Sequence, residues 1–299
     1  MKIWIAALAM FAFVGLASAQ DDEKTPLDKL KESVAKKDPD EVKQGAMDTY
    51  VWAQKMINAP KPADANEVKD WESRVESGKE VTTYTEYALS ATAVAVQATA
   101  PAKTVELVDA LLAQNPKSKY LNDTCANAYL VALGKSGGSA AKQLDGMAKI
   151  VKGRPDNITA LMALIDSRPS IAYANELVAA ARKPKPEDVP EGEWEKLKNE
   201  ALGKGYFQLG SINGQKQGWL DCEKYLKMAL PLIQGSNNLG TAYFSLGICE
   251  FNFGKTTMDK SKMKEGQGFM EKAAATKGPY QTQAYQQNNA MKQALATGR

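Results

Sequence analysis

Tyr206-Phe207-Gln208-Leu209-Gly210 and Tyr243-Phe244-Ser245-Leu246-Gly247 carry the same order of residue types, 37 positions apart. Each is followed by a stretch of matching character. The first leads to Tyr225-Leu226-Lys227-Met228-Ala229 and the second to Phe269-Met270-Glu271-Lys272-Ala273, with Gly278-Pro279 beyond it. Aromatic and leucine side chains recur at helical spacing, with one small residue per segment. A glycine on one helix lets a partner helix come close, and an alanine on that partner keeps the contact tight. The large residues then fill the space toward the next pair. Two copies of such a unit predict stacked helix pairs, because one pair cannot bury its apolar face alone.

The rest of the chain reads in the same style. Alanine, leucine, lysine, glutamate and glutamine dominate from Thr25 onward, and all are good helix formers. About fourteen helical stretches are predicted, near 26–37, 40–58, 64–77, 80–99, 101–114, 118–133, 139–152, 156–167, 169–182, 191–213, 217–234, 238–253, 261–277 and 279–297. Thr25-Pro26, with Asp28 three residues after the threonine, is a helix start with a stated mechanism: a capping hydroxyl and a proline whose missing N–H is not needed. Gly134 and Ser136-Gly137-Gly138-Ser139 interrupt the helical run. No segment sustains the alternation of a strand. The fold class is all-α.

This organisation resembles the tetratricopeptide repeat (TPR) family, most clearly over 195–280. Gly210 and Gly247 match its small first-helix position, and Ala229 and Ala273 its small second-helix position. The usual tyrosine after Leu-Gly is replaced by Asn213 and Glu250, and a long stretch, Asn252 to Gly268, separates the two helices of the second unit. The resemblance implies a right-handed helix-hairpin solenoid whose concave groove is lined by first-helix side chains. It places Lys204, Phe207 and Ser211 there in one unit, and Thr241, Phe244, Ile248, Phe251 and Asn252 in the next. The phenylalanines are then either groove anchors for a peptide or contacts with the neighbouring hairpin. Before 182 the likeness is one of organisation only. The last stretch, rich in Gln and Asn, suits a capping helix.

Residues 1–19 read as a secretory signal peptide: Met1-Lys2, an uncharged run from Ile3 to Leu16, and Ala17-Ser18-Ala19 as the cleavage site. The expected address is the periplasm or the exterior, with cleavage after Ala19, and no later segment is apolar enough to span a bilayer. Arg182 to Pro190 holds three prolines and mixed charge, which no helix continues through, and reads as a linker or a long inter-repeat turn. The expected divisions are 1–19 signal peptide, 20–182 N-terminal helical-hairpin region, 183–192 Pro-rich linker, and 193–299 C-terminal TPR region with its capping helix.

Composition narrows the chemistry. The 299 residues hold 38 Lys+Arg against 35 Asp+Glu, too balanced to call for a nucleic acid. Histidine is absent, which removes Ser-His-Asp and Cys-His nucleophiles and His-based zinc sites. Cys125, Cys222 and Cys249 form no CxxC pair. They are either small buried residues or one Cys222–Cys249 disulfide with Cys125 free. No cofactor is expected. Lys255, Lys260, Lys262 and Lys264 read as a solvated loop, or else as a docking loop for an acidic partner. Asn122-Asp123-Thr124 and Asn157-Ile158-Thr159 match the glycosylation triplet incidentally.

The expected function is a non-catalytic periplasmic scaffold that binds a protein or peptide in the groove. A homo-oligomer is compatible with it. One alternative is a cell-wall or polysaccharide-binding module using Tyr280, Tyr285, Asn288 and Asn289. Another is an enzyme with two carboxylates facing a deep pocket.

Overall fold

The computed structural model describes residues 24–187 and 189–297; the signal-peptide stretch 1–19 lies outside them. The described residues form thirteen helices and no strand: α1 (Pro26–Lys36), α2 (Pro39–Ile57), α3 (Ala65–Val96), α4 (Pro101–Gln114), α5 (Asp123–Lys135), α6 (Ala140–Gly153), α7 (Ile158–Ser167), α8 (Ile171–Ala181), α9 (Glu191–Gln215), α10 (Trp219–Ala229), α11 (Leu239–Thr257), α12 (Lys260–Ala275) and α13 (Gln281–Thr297). None of them is long and apolar enough to cross a membrane.

Most starts are capped by a short polar side chain. Thr25 accepts from the Asp28 N–H, Asp38 from Asp40 and Glu41, Ser139 from Lys142 and Ser170 from Tyr173. The two glycosylation-like triplets are caps of the same kind. Asn122 accepts from Cys125 N–H at the start of α5, and Asn157 from Ala160 N–H at the start of α7. Each satisfies a backbone donor that the helix itself leaves free.

Every helix packs against its neighbours in sequence. The odd-numbered helices also touch one another in succession, α1 on α3, α3 on α5, and so on to α11 on α13. They therefore share one layer, and the intervening even-numbered helices lie beside it. One apolar core runs from Leu30 to Cys249. A second cluster, with Phe251, Met263, Met270, Ala284 and Met291, continues it through α11, α12 and α13.

The structure departs from the sequence reading in two places. The stretches 64–77 and 80–99 are one helix, α3. Gly78 falls in the gap between those two ranges, yet it sits inside α3 where a Cβ would lie 2.9 Å from Ile57 and 3.1 Å from the Ala53 carbonyl. It is a crossing point with α2. Second, Asn252 to Gly268 is no loop. The spacing from Gly247 to Met270 exceeds that from Gly210 to Leu226 by seven residues, about two helical turns. The extra length extends the end of α11 and the start of α12, leaving only Met258 and Asp259 between them. The helices on either side of the proline-rich stretch pack on each other: Gly205 on α9 would put a Cβ 2.7 Å from Val178 on α8.

Candidate functional site

The two repeated segments occupy equivalent places. Gly210 on α9 faces Leu226 on α10, where a Cβ would come within 2.5 Å of the Leu226 side chain. Gly247 on α11 faces Met270 on α12, at 2.9 Å. Tyr206 stacks on Tyr225, centroids 6.4 Å apart and planes at 18°. Tyr243 stacks on Phe269 at 6.3 Å and 22°. Ala229 and Ala273 are buried. A cation lies by each ring pair, Arg182 over Tyr206 and Lys272 over both Tyr243 and Phe269.

The residues expected on the groove fall on α9 and α11, which touch as consecutive odd-numbered helices. Lys204, Phe207 and Ser211 are in register with Thr241, Phe244 and Ile248, and Asn252 lies one turn beyond Ile248. All seven are half-buried. Lys204 pairs with Asp166 at the end of α7, 2.6 Å away. Phe244 stacks on Tyr280 with centroids 4.7 Å apart and planes at 12°. The Ser211 hydroxyl is sealed from solvent with no hydrogen-bond partner. Phe251 is not available to a groove ligand. It is buried in the second core cluster, where its backbone would lie 2.5 Å from a Cβ on Gly266 of α12.

The tyrosine and asparagine cluster near the C-terminus is split by burial. Asn288 is buried and accepts from Gln267 at 2.7 Å, and Tyr280 stacks on Phe244, while Tyr285 and Asn289 are exposed.

Sequence reasoning missed a charge cluster joining α10, α11 and α12. Glu250, whose side chain is wholly buried, meets Lys227 at 2.5 Å and Lys262 at 3.3 Å. The same lysines reach Glu223 and Glu265. Lys262 therefore belongs to an ion-pair network and not to a solvated loop. The two lysines are what the burial of Glu250 requires.

Three carboxylates share two ammonium groups, so one proton is retained most easily at the driest site. Burial, helped by the neighbouring glutamates, pushes the Glu250 carboxyl up to about 7 despite Lys227. Glu265 is held down to about 2, because its bonds to Lys227 and Lys262 outweigh its own burial. The three carboxylates lie close enough to surround a cation. Lys227 and Lys262 already supply the positive charge there, so an ion would have to displace both.

Next to this cluster, Cys222 on α10 and Cys249 on α11 form a disulfide, with Cα atoms 6.3 Å apart. Gly214 makes room for it: a Cβ there would lie 3.0 and 3.1 Å from the two sulfurs. Cys125 is free and buried, which raises its thiol to about 11 and leaves it unreactive. Set beside known proteins, the chain matches no protein-family model, no curated protein and no solved structure.

Proposed function

We propose that this chain is a secreted or periplasmic TPR-like solenoid, right-handed, that serves as a non-catalytic scaffold for a protein or peptide. The observation that carries the reading is the equivalence of the two units. The same glycine contact and the same ring stack recur at Gly210 with Tyr206–Tyr225 and at Gly247 with Tyr243–Phe269. The succession of odd-numbered helices in one layer adds to it. Lys204, Phe207, Ser211, Thr241, Phe244, Ile248 and Asn252 then form a mixed apolar and polar strip across α9 and α11. Phe244 and Tyr280 supply its aromatic centre. Aromatic anchors with a polar surround are what a peptide groove needs. The signal-like segment 1–19 supports the address.

Photo-crosslinking in the native cell tests this. A crosslinking residue replaces Phe244, and one at Lys196, which is exposed on α9, is the control. A discrete protein adduct at 244 and none at 196 is the expected result. Equal labelling at both positions, or none at either, removes the groove reading.

A further inference from the structure

Two pairs of sequence neighbours tie the disulfide to the ion cluster. Glu223 follows Cys222 on α10, and Glu250 follows Cys249 on α11. The bond between the sulfurs fastens the two helices where their carboxylates converge with that of Glu265 on α12, all within 4.8 Å of one another.

The sulfurs have little slack around them. Cys222 and Cys249 are both buried, and Gly214 of α9 backs onto the pair, where a Cβ would lie 3.0 and 3.1 Å from the two sulfurs. Two thiols need more room than one disulfide, because unbonded sulfurs repel at bonding distance. α9 closes one side, so the room has to come from the α10–α11 contact. A shift of α10 away from α11 carries Glu223 and Lys227 away from Glu250.

Glu250 is the group that feels such a shift. Its side chain is wholly buried, 2.5 Å from Lys227 of α10 and 3.3 Å from Lys262 of α12. Its carboxyl also hydrogen-bonds that of Glu265, a contact that needs a proton on one of the two. Glu223 adds a negative charge from α10. The charged side chains of α9 and α13 that form ion pairs do so elsewhere: Lys198 with Glu195, Lys204 with Asp166, and Lys292 with Glu271. Dry and crowded by carboxylates, Glu250 keeps its proton up to about 7. Water entering between α10 and α11 removes the burial and screens Glu223, which returns the carboxyl toward an ordinary 4.5.

We propose that the Cys222–Cys249 bond and the Glu250 proton are coupled, so that reducing the one releases the other and the α10–α11 junction is a redox switch whose set point moves with pH. The reductant is a dithiol. Its two electrons and two protons pass to the Cys222 and Cys249 sulfurs, which become thiols, and it closes to a cyclic disulfide. The Glu250 proton goes to solvent and is the only net proton released. Below the titration of the thiols, an ordinary exchange of this kind carries no net proton, and its equilibrium constant does not change with pH. Here the constant rises with pH by as much as about tenfold per unit between the two Glu250 values, then levels off. Linkage makes the effect mutual, so acid favours the closed bridge. Nothing in this coupling depends on the strip across α9 and α11 being a groove.

The test is equilibration of the whole chain with reduced and oxidised dithiothreitol, approached from both sides, between about pH 5.5 and about pH 7.5. Thiols are counted by alkylation after an acid quench, with Cys125 as a constant background. The reduction constant is expected to rise about tenfold or more toward neutral pH in the unsubstituted chain and to stay level in Glu250→Gln. The far-ultraviolet helical signal should be the same in the reduced and oxidised chains. A second measurement needs no variant: at about pH 6 the infrared band of a protonated carboxyl should weaken on reduction. Four results overturn the proposal. One is a constant that stays level in the unsubstituted chain. Another is a rise that Glu250→Gln shares in full. A third is a carboxyl band that reduction leaves unchanged. The last is a reduced chain that has lost its helices, which would make the effect one of unfolding.

Discussion

Glu250 concentrates the electrostatics of the molecule in one side chain. It is sealed between Lys227 and Lys262, and its folded-state pKa is raised to about 7 from an ordinary 4.5. A group whose pKa rises on folding stabilises most below its unfolded value, and that stability is lost as pH climbs through the folded one. The unfolding free energy from urea titrations should therefore fall between pH 5 and pH 8, by on the order of 1–3 kcal/mol. Glu250→Gln stays neutral throughout and should flatten that decline. Parallel profiles for the two proteins would mean that Glu250 is ionised across the range. Glu265 works in the other direction: its pKa is lowered to about 2, so its share is present above the usual carboxylate range and lost in strong acid.

At the level of elements, glycine decides which helices touch closely. On the α11–α12 interface a Cβ at Gly266 would lie 2.5 Å from the Phe251 nitrogen, and one at Gly254 2.6 Å from the Met263 nitrogen. Backbone atoms cannot swing aside as a side-chain tip does. Gly266→Ala should therefore cost about 1–3 kcal/mol of stability, read from denaturant midpoints, despite alanine's better helix propensity. Gly268 faces open space, so the same change there should be neutral or slightly stabilising.

These glycines also mark what the sequence made legible and what it did not. Helix content, the capped starts at Thr25 and Asp38, and the pairing of Gly210 with Gly247 follow from local patterns. The gap at 78–79 and the length of the helices around Gly254 were misjudged, because a glycine at a crossing and a glycine at a break look alike without the partner helix. The ion cluster was hidden for a related reason. Lys262 meets Glu223 39 residues away and Glu250 12 residues away, separations that no local pattern connects.

Over the whole molecule, contacts link helices one or two steps apart in sequence, so stability is built from neighbour to neighbour. The disulfide is the one covalent bond across that order. It joins α10, the second helix of one unit, to α11, the first of the next, closing a separation of 27 residues. Cross-linking a loop of that length restricts the unfolded chain by about 3–4 kcal/mol. The paired change Cys222→Ala with Cys249→Ala should lower stability by that order, with Cys125→Ala as a core control that leaves the disulfide in place. A loss no greater than a buried methyl-sized change would show that the bridge constrains little.

The same bridge bears on how the molecule responds to being pulled from its ends. A stack held by neighbour contacts peels one helix after another, and each released residue lengthens the tether. When peeling from the C-terminus passes α11, the span from 222 to 249 is withheld, on the order of 90 Å of chain that cannot pay out while the sulfurs stay joined. The bond ties α10, which packs on α9, to α11, so one covalent link crosses the junction between the two units. In an oxidising compartment that junction holds under tension, and in a reducing one it peels like its neighbours.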